Sequence, residues 1–399
     1  MKRIDFDIVI CGGGVAGATA AALLAAQDLR VGLIDARRPS DKLPDDDFDP
    51  RVVAISPGSQ RILKASGAWD VLDTTRAGHY ASMQVCSGSQ SITFRASEHG
   101  LEQLGWIVEV PAMQQALWQA LAHRPEVQIL APARITKFEP GRDRVRIELD
   151  NGQVLRAALL VGADGARSWL RRQAGIAVDE WHYNQKALVT HVKTEQRNEG
   201  LAWQRFAEHG PLALLPLADG RSSIVWSQPE ARAAALLAMD EDEFVAELNQ
   251  HQDSPFGPVI SCGPRYALPL VRRKAHSLVH GRLALLGDAA RTVHPLAGQG
   301  LNLGLADAAA LAEVLADWRP GQAIDQNLDR YQRWRLSASE VIGGGIHAIN
   351  ELAHSPGDLG RGLLGVGFGA AALLWPLREA FVIRACGLDS DSPKLARNA

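Results

Sequence analysis

Hydrophobic and polar positions change rhythm several times along this chain. Residues 6–11 form a short apolar run, residues 15–27 an alanine-rich stretch of high helix propensity, and residues 30–34 a second apolar run closing on Asp35. Strand, helix and strand in that order predict one βαβ unit of a parallel sheet. The charged, proline-bearing residues 37–50 predict a surface loop. Residues 76–102 and 176–275 have another texture. Short apolar or alternating stretches at 83–94, 187–192, 212–217 and 223–226, separated by turns such as Ala218-Asp219-Gly220, predict antiparallel strands. Helices are expected over 113–122 and 240–250, a buried strand over 282–286, and helix again over 301–315 and most of 325–387. The polar last dozen residues are expected to fray. The whole reads as an α/β fold. Segments 1–75, 103–175 and 276–325 make one discontinuous Rossmann-like domain, 76–102 and 176–275 an inserted β-rich substrate domain, and 326–390 a C-terminal helical region.

Composition narrows the function classes. With 46% hydrophobic and 22% charged residues, the 399-residue chain has ample material for a core. A net charge of −3 leaves no basic footprint for nucleic acid. Cys11, Cys86, Cys262 and Cys386 are far apart and have no metal-ligand spacing, so reduced thiols and a cytoplasmic setting are expected, with no metal site. The basic start MKRIDFDIVICGGG runs into glycines rather than a cleavage site and reads as a buried strand, not a signal peptide. The longest apolar stretch, LLGVGFGAAALLW at 363–375, is too short to span a bilayer. It reads first as a core helix, and second as the wall of an apolar channel or a peripheral contact with the inner membrane.

Three glycine-rich elements carry the chemistry. In Gly12-Gly13-Gly14-Val15-Ala16-Gly17 the first glycine permits a tight turn, the second lets backbone approach a pyrophosphate, and the third lets helix pack on strand. Val15 and Ala16 open the helix, whose free N–H groups and positive dipole end face the phosphates. Asp35, ending the second strand, is placed to accept from ribose hydroxyls. Gly287-Asp288 ends a second strand, and its carboxylate suits either a flavin ribityl chain or a helix cap. Residues 294–307, HPLAGQGLNLGLAD, then bring bare amides at Gly298, Gly300, Leu301 and Asn302 to the start of a helix, where they would stabilise negative charge on a reduced isoalloxazine. Gly162 to Ser168 is a further strand-to-turn junction containing Asp164, which in isolation reads as a plain Asp-Gly turn.

These motifs resemble those of the class A FAD-dependent aromatic hydroxylases, the para-hydroxybenzoate hydroxylase-like group, and within it the ubiquinone-biosynthesis hydroxylases. The signature H-P-[LIV]-[AG]-G-Q-G-x-N-x-G-x-x-D is met in full by His294 to Asp307, and DPRVVAIS at 49–56, LGWIVE at 104–109, 162–171 and the C-terminal WPLREAFVIRACGL are also similar. The resemblance covers essentially the whole chain. It implies one FAD domain and an FAD-dependent monooxygenase that NAD(P)H, a transient co-substrate, reduces. O₂ then adds at the flavin C4a, and the hydroperoxide hydroxylates a prenylated phenol or quinol. By the same resemblance Gly12, Gly14, Gly17 and Asp35 hold the ADP portion, Arg51 reaches the flavin region, and Asp164 serves FAD and the nicotinamide donor. Gly287 and Asp288 hold the ribityl side, and Leu301 and Asn302 present backbone to the ring. No classical acid or base is implied. His294 and Pro295 are the flavin-side candidates, with His294 divided between a structural hydrogen bond and proton movement. Ubiquinone-biosynthesis proteins are the partners implied. A small soluble aromatic substrate, or a non-catalytic flavin-binding accessory role, stands as the alternative. The chain departs from the pattern at Val110-Pro111, where the subfamily often has Asn-Arg, and at Arg291 and Ala306, where it often has His and Arg.

Overall fold

The computed structural model describes residues 3–40, 42–43, 47–207, 210–293, 299–338 and 375–397. Strands Ile8–Cys11, Val31–Ile34, Val127–Leu130 and Leu159–Gly162 lie parallel, with Leu283–Leu285 parallel beside Leu159–Gly162 and Val279–His280 hairpinned onto the outer edge. Ile8, Val9, Ile10, Leu159, Leu160 and Val161 are wholly buried, as continuous apolar runs require when both faces of a parallel sheet are covered. One cover is helix Val15–Ala25, buried at nearly every position, and the other elements packed on it include helices Gln299–Val314 and Val110–Ala122.

A second layer is a sheet ordered 291–292, 266–275, 178–194, 222–229, 210–216, 201–207, 82–87, 90–95, with 259–262 pairing alongside 178–194. Its pairings are antiparallel except that 82–87 runs parallel to 201–207, which corrects the uniformly antiparallel expectation there. The reason is connectivity: 82–87 arrives from the first domain rather than through a hairpin. One face of this sheet, bearing Leu188, Val192, Leu212, Ile224 and Trp226, packs on Leu236, Phe244 and Leu248 of helices Glu230–Ala238 and Glu241–His251. Asp240 caps the second of these with a reciprocal capping box to Glu243.

Elements without a strong period escaped the sequence. Helix Pro57–Ala65 starts at a Ser56 cap, and strands 135–140, 145–149 and 154–157 form a small sheet with residues 3–5. The fraying expected of the last dozen residues is also corrected. Ala396 is buried, the Arg61 guanidinium donates to the carbonyls of Ala396 and Arg397, and the Trp334 indole N–H donates to the Asp391 carbonyl. A few polar residues hold the end because their backbone finds partners on other helices.

Truncation after Gly387 should therefore lower the melting temperature of the apoprotein, by roughly 2–4 °C for each kcal/mol lost. An unchanged melting curve would show that these contacts carry no stability.

Candidate functional site

The glycine turn after Ile8–Cys11 is assembled by its own backbone. Gly12 has φ +109°, and a Cβ there would meet the Ala163 carbonyl oxygen at 2.2 Å. Asp35 holds the loop from one side, its Oδ2 accepting from the Gly13 N–H at 2.6 Å while Oδ1 accepts from the Arg37 N–H at 2.8 Å. From the other side Gln114 and Trp118, one turn apart on a helix, donate to the Gly13 carbonyl at 2.9 and 2.8 Å. Gly14 stands at the helix N-cap with no side-chain cap, and a Cβ on it would meet nothing within 4 Å. The helix thus begins with orphan donors beside open space, an anion site by construction.

Two further turns converge on this one. Asp164 Oδ2 accepts from the N–H groups of Trp169 and Leu170, whereas its buried Oδ1 has no partner. Arg171, buried, donates to the carbonyls of Ala166 and Ala289 and so ties the Asp164 turn to the Gly287–Asp288 turn. Gly287, at φ +58°, and Gly304 bring their Cα atoms close to Ala16, where a Cβ on either glycine would sit 3.2–3.3 Å from the alanine methyl. Asp288 caps no helix. Its side chain is open to solvent on one side and walled by protein on the other. That crowding pushes its carboxyl above the usual range against the pull of Arg291 and Arg273.

Beneath this turn lies a buried ion triad. Asp307 accepts from Arg291 through both oxygens (2.6 and 3.1 Å), from Arg335 Nε at 2.6 Å and from the Gly287 N–H at 3.0 Å. Burial pushes the Asp307 carboxyl up, but the two guanidiniums outweigh it and hold it below the ordinary carboxylate range. Arg291 had only been a departure from the family pattern, and Asp307 only the last letter of a motif. Arg335, like Arg171, Gln114 and Trp118, carries no local signal, since its role depends on contacts distant in sequence.

Of the other expected residues, Val15, Ala16 and Gly17 open the helix behind Gly14, and Gly300 and Leu301 begin helix Gln299–Val314. Asn302 uses its side chain structurally, accepting from the Ser56 N–H and donating to the Ala54 carbonyl. Arg51 forms a two-point ion pair with Asp49 and is largely exposed, so the structure places it away from buried contacts. Val110-Pro111 opens helix Val110–Ala122 with proline in the first turn, where its missing N–H costs nothing. His294, Pro295 and Gly298 lie outside the described residues, as does residue range 363–374.

The second sheet turns its other face toward this domain. His191, one of its residues, places Nδ1 4.0 Å from Asp47, and its ring meets Phe48 edge-on. Burial depresses the His191 pKa, opposed by Asp47. Strand register puts Ala187, Val189, Val225, Ala213 and Ser223 on the same side as His191. Arg221 is already committed to Asp47 (2.7 Å) and Asp219 (2.6 Å). The face is mixed, since Gln204 and Ser227 also lie on it opposite Ala213 and Ala187, but it is uncharged apart from His191 among the residues named.

The uncapped glycine turn, Asp35 bonded to it, the orphaned Asp164 oxygen and the exposed Asp288 lie on turns that pack on one another, a donor and acceptor set that suits a flavin dinucleotide. The model of the FAD-binding domain family matches residues 5–342. The chain is 38% identical to the 3-demethoxyubiquinol 3-hydroxylase of Escherichia coli (strain K12), over 87% of this chain and 89% of that protein. It is 36% identical to the ubiquinone hydroxylase UbiL of Rhodospirillum rubrum, over 98% and 92% of the two chains. The fold superposes on p-nitrophenol 4-monooxygenase PnpA from Pseudomonas putida DLL-E4 with a TM-score of 0.77, at 19% identity, covering 96% of this chain and 98% of that one. The chain belongs to the FAD-binding domain family. It is an FAD-dependent hydroxylase.

Two outcomes test this site. Gly14→Val should leave the apoprotein fold intact, because its φ of −67° is ordinary and no protein atom opposes the side chain, yet weaken FAD at least tenfold. Flavin fluorescence titration against the apoprotein melting curve reads both, and wild-type affinity would remove the loop from the cofactor site. For the triad, a depressed carboxylate stabilises the fold above its unfolded pKa, about 4, and loses that contribution as pH falls through the lower folded value. The stability gap between wild type and Arg291→Gln in urea should therefore narrow from pH 7 to pH about 3.

Proposed function

We propose that this enzyme hydroxylates the aromatic ring of a polyprenylated phenol or quinol in ubiquinone biosynthesis, consuming NAD(P)H and O₂ and releasing water with NAD(P)⁺. The observation that carries the reading is the cleft-facing side of the second sheet. A small aromatic acid needs a desolvated cation to hold its carboxylate, whereas Val189, Val225 and Ala213 offer a neutral surface and Arg221 is already paired. Names of relatives that act on ubiquinol or ubiquinone point the same way.

When bound, FAD supplies the redox chemistry, accepting hydride and activating O₂ for transfer of one oxygen atom to the ring. The chain's own work is binding, orientation and exclusion of water. Gly12, Gly14, Gly17 and the amides of Val15 and Ala16 take the pyrophosphate, Asp35 the adenosine ribose, and Asp164, through its orphaned oxygen, the region between FAD and the nicotinamide donor. Gly287 and Asp288 take the ribityl side, and the backbone of Gly300, Leu301 and Asn302 serves the ring; the assignment of His294, Pro295 and Gly298 to the flavin side rests on the sequence motif alone. Arg51 joins the flavin region only by leaving Asp49. The sheet covers the reacting ring and keeps water from it. A prenyl tail places the substrate in a bilayer, so contact with a membrane surface and with other proteins of the pathway forms part of the proposal. Among the described residues no helix is long and apolar enough to cross a membrane.

The test is deletion of the gene in a strain lacking redundant hydroxylases, followed by mass spectrometry of quinone precursors. A prenylated precursor one hydroxyl short should accumulate, and purified enzyme should add one ¹⁸O atom from ¹⁸O₂ to it. Normal quinone levels in the deletion strain would end the assignment. Failure to sediment with anionic liposomes would remove the membrane contact alone.

A further inference from the structure

We propose that Arg291 is a positioning residue for the flavin: through Asp307 it fixes the Gly287–Asp288 turn against the helix that carries Leu301 and Asn302. The inference rests on FAD occupying the site described above, and on no particular substrate.

Asp307 lies on helix Gln299–Val314, and its side chain is fully buried. One of its oxygens, Oδ2, accepts both from the Gly287 N–H at 3.0 Å and from Arg291 Nη1 at 2.6 Å. The other, Oδ1, accepts from Arg291 Nη2 at 3.1 Å and from Arg335 Nε at 2.6 Å. Arg291 is thus the one of the two arginines that grips both oxygens, and a planar guanidinium doing so fixes the rotation of the carboxylate. That rotation decides whether Oδ2 points at the Gly287 amide. The turn in question holds Asp288, and Arg291 follows it by three residues, so the clamp closes a short loop of chain onto the helix. Of the two Asp307 oxygens Arg335 bonds Oδ1, and it also contacts the Leu303 carbonyl, whereas the Gly287-facing Oδ2 is gripped by Arg291. Arg291 does not touch the exposed face of the turn. Its own third contact runs the other way, to the Arg335 carbonyl at 3.3 Å.

A residue that merely filled charge would be replaceable by lysine, which keeps the ion pair but makes a single-point contact. Arg291→Lys should accordingly leave the apoprotein melting within about 2 °C of wild type, while raising the FAD dissociation constant tenfold or more in fluorescence titration. Amide exchange of the apoprotein peptide spanning residues 283–292 should accelerate in the same variant. Arg335→Lys, which spares the Oδ2 side, should alter FAD affinity less than threefold. Should Arg291→Lys fail to fold, Arg291→Gln set against Arg335→Gln, both of which remove one guanidinium from Asp307, carries the same comparison of FAD affinity and amide exchange. The proposal is overturned if Arg291→Lys binds FAD as wild type does, if the 283–292 amides exchange at the wild-type rate, or if both lysine variants weaken FAD equally. Absence of the ¹⁸O product with FAD-loaded wild-type enzyme would instead count against the substrate reading and leave this clamp in place.

Discussion

The carboxylate of Asp307 is the point on which the cofactor side of this molecule depends. It is sealed from solvent, so its charge persists only because two guanidiniums and a backbone amide surround it. The partners come from two places: Gly287 and Arg291 from the turn after Leu283–Leu285, and Arg335 from the helix over 325–338. Breaking one side of such an arrangement leaves a buried charge unmatched, at a cost on the order of 3–5 kcal/mol. The same helix adds a second hold one turn earlier, where the buried Tyr331 hydroxyl donates to the Leu285 carbonyl at 2.8 Å. The strand entering the Asp288 turn and the turn itself are therefore gripped from behind by one helix.

The second sheet shows how one element serves two purposes by alternation. Even-numbered positions of its long central strand, such as Leu188 and Val192, build a core with two helices, while Ala187, Val189 and His191 look the other way. The first set anchors the sheet to its helices, and the second faces the other layer. At the seam between the layers, Phe48 lies under the guanidiniums of both Arg76 and Arg221, and Arg76 reaches the buried Glu109 at 2.8 Å. That seam is polar and aromatic.

Local chemistry was legible in the sequence, and long-range chemistry was not. The βαβ unit, the glycine turn and Asp35 could be read because strand, turn and helix signals follow one another within a few dozen residues. The signature at 294–307 marked the family, and the departure at Arg291 was visible as an oddity. Its meaning was not, because Arg335 lies 28 residues beyond Asp307 in a helix with no motif of its own. Asn302 was read for its backbone, yet its side chain bonds Ala54 and Ser56 nearly 250 residues upstream. The end of the chain was misjudged for the same reason: polarity predicts exposure only where no distant partner waits for the backbone. Gln114 and Trp118 form an i, i+4 pair on a mostly apolar helix, but nothing in their spacing names Gly13 as the target.

The two-residue strand Arg291–Thr292 pairs with Arg273 and Lys274 on the edge of the second sheet. It is a minor element by length, yet it makes the segment after Asp288 a member of both layers at once. Displacement of that edge strand has no slack in which to dissipate before it reaches the turn, since only two residues separate Asp288 from Arg291. The edge of the second sheet and the turn that carries Asp288 therefore share one short length of backbone, so neither can be rebuilt without refitting the other.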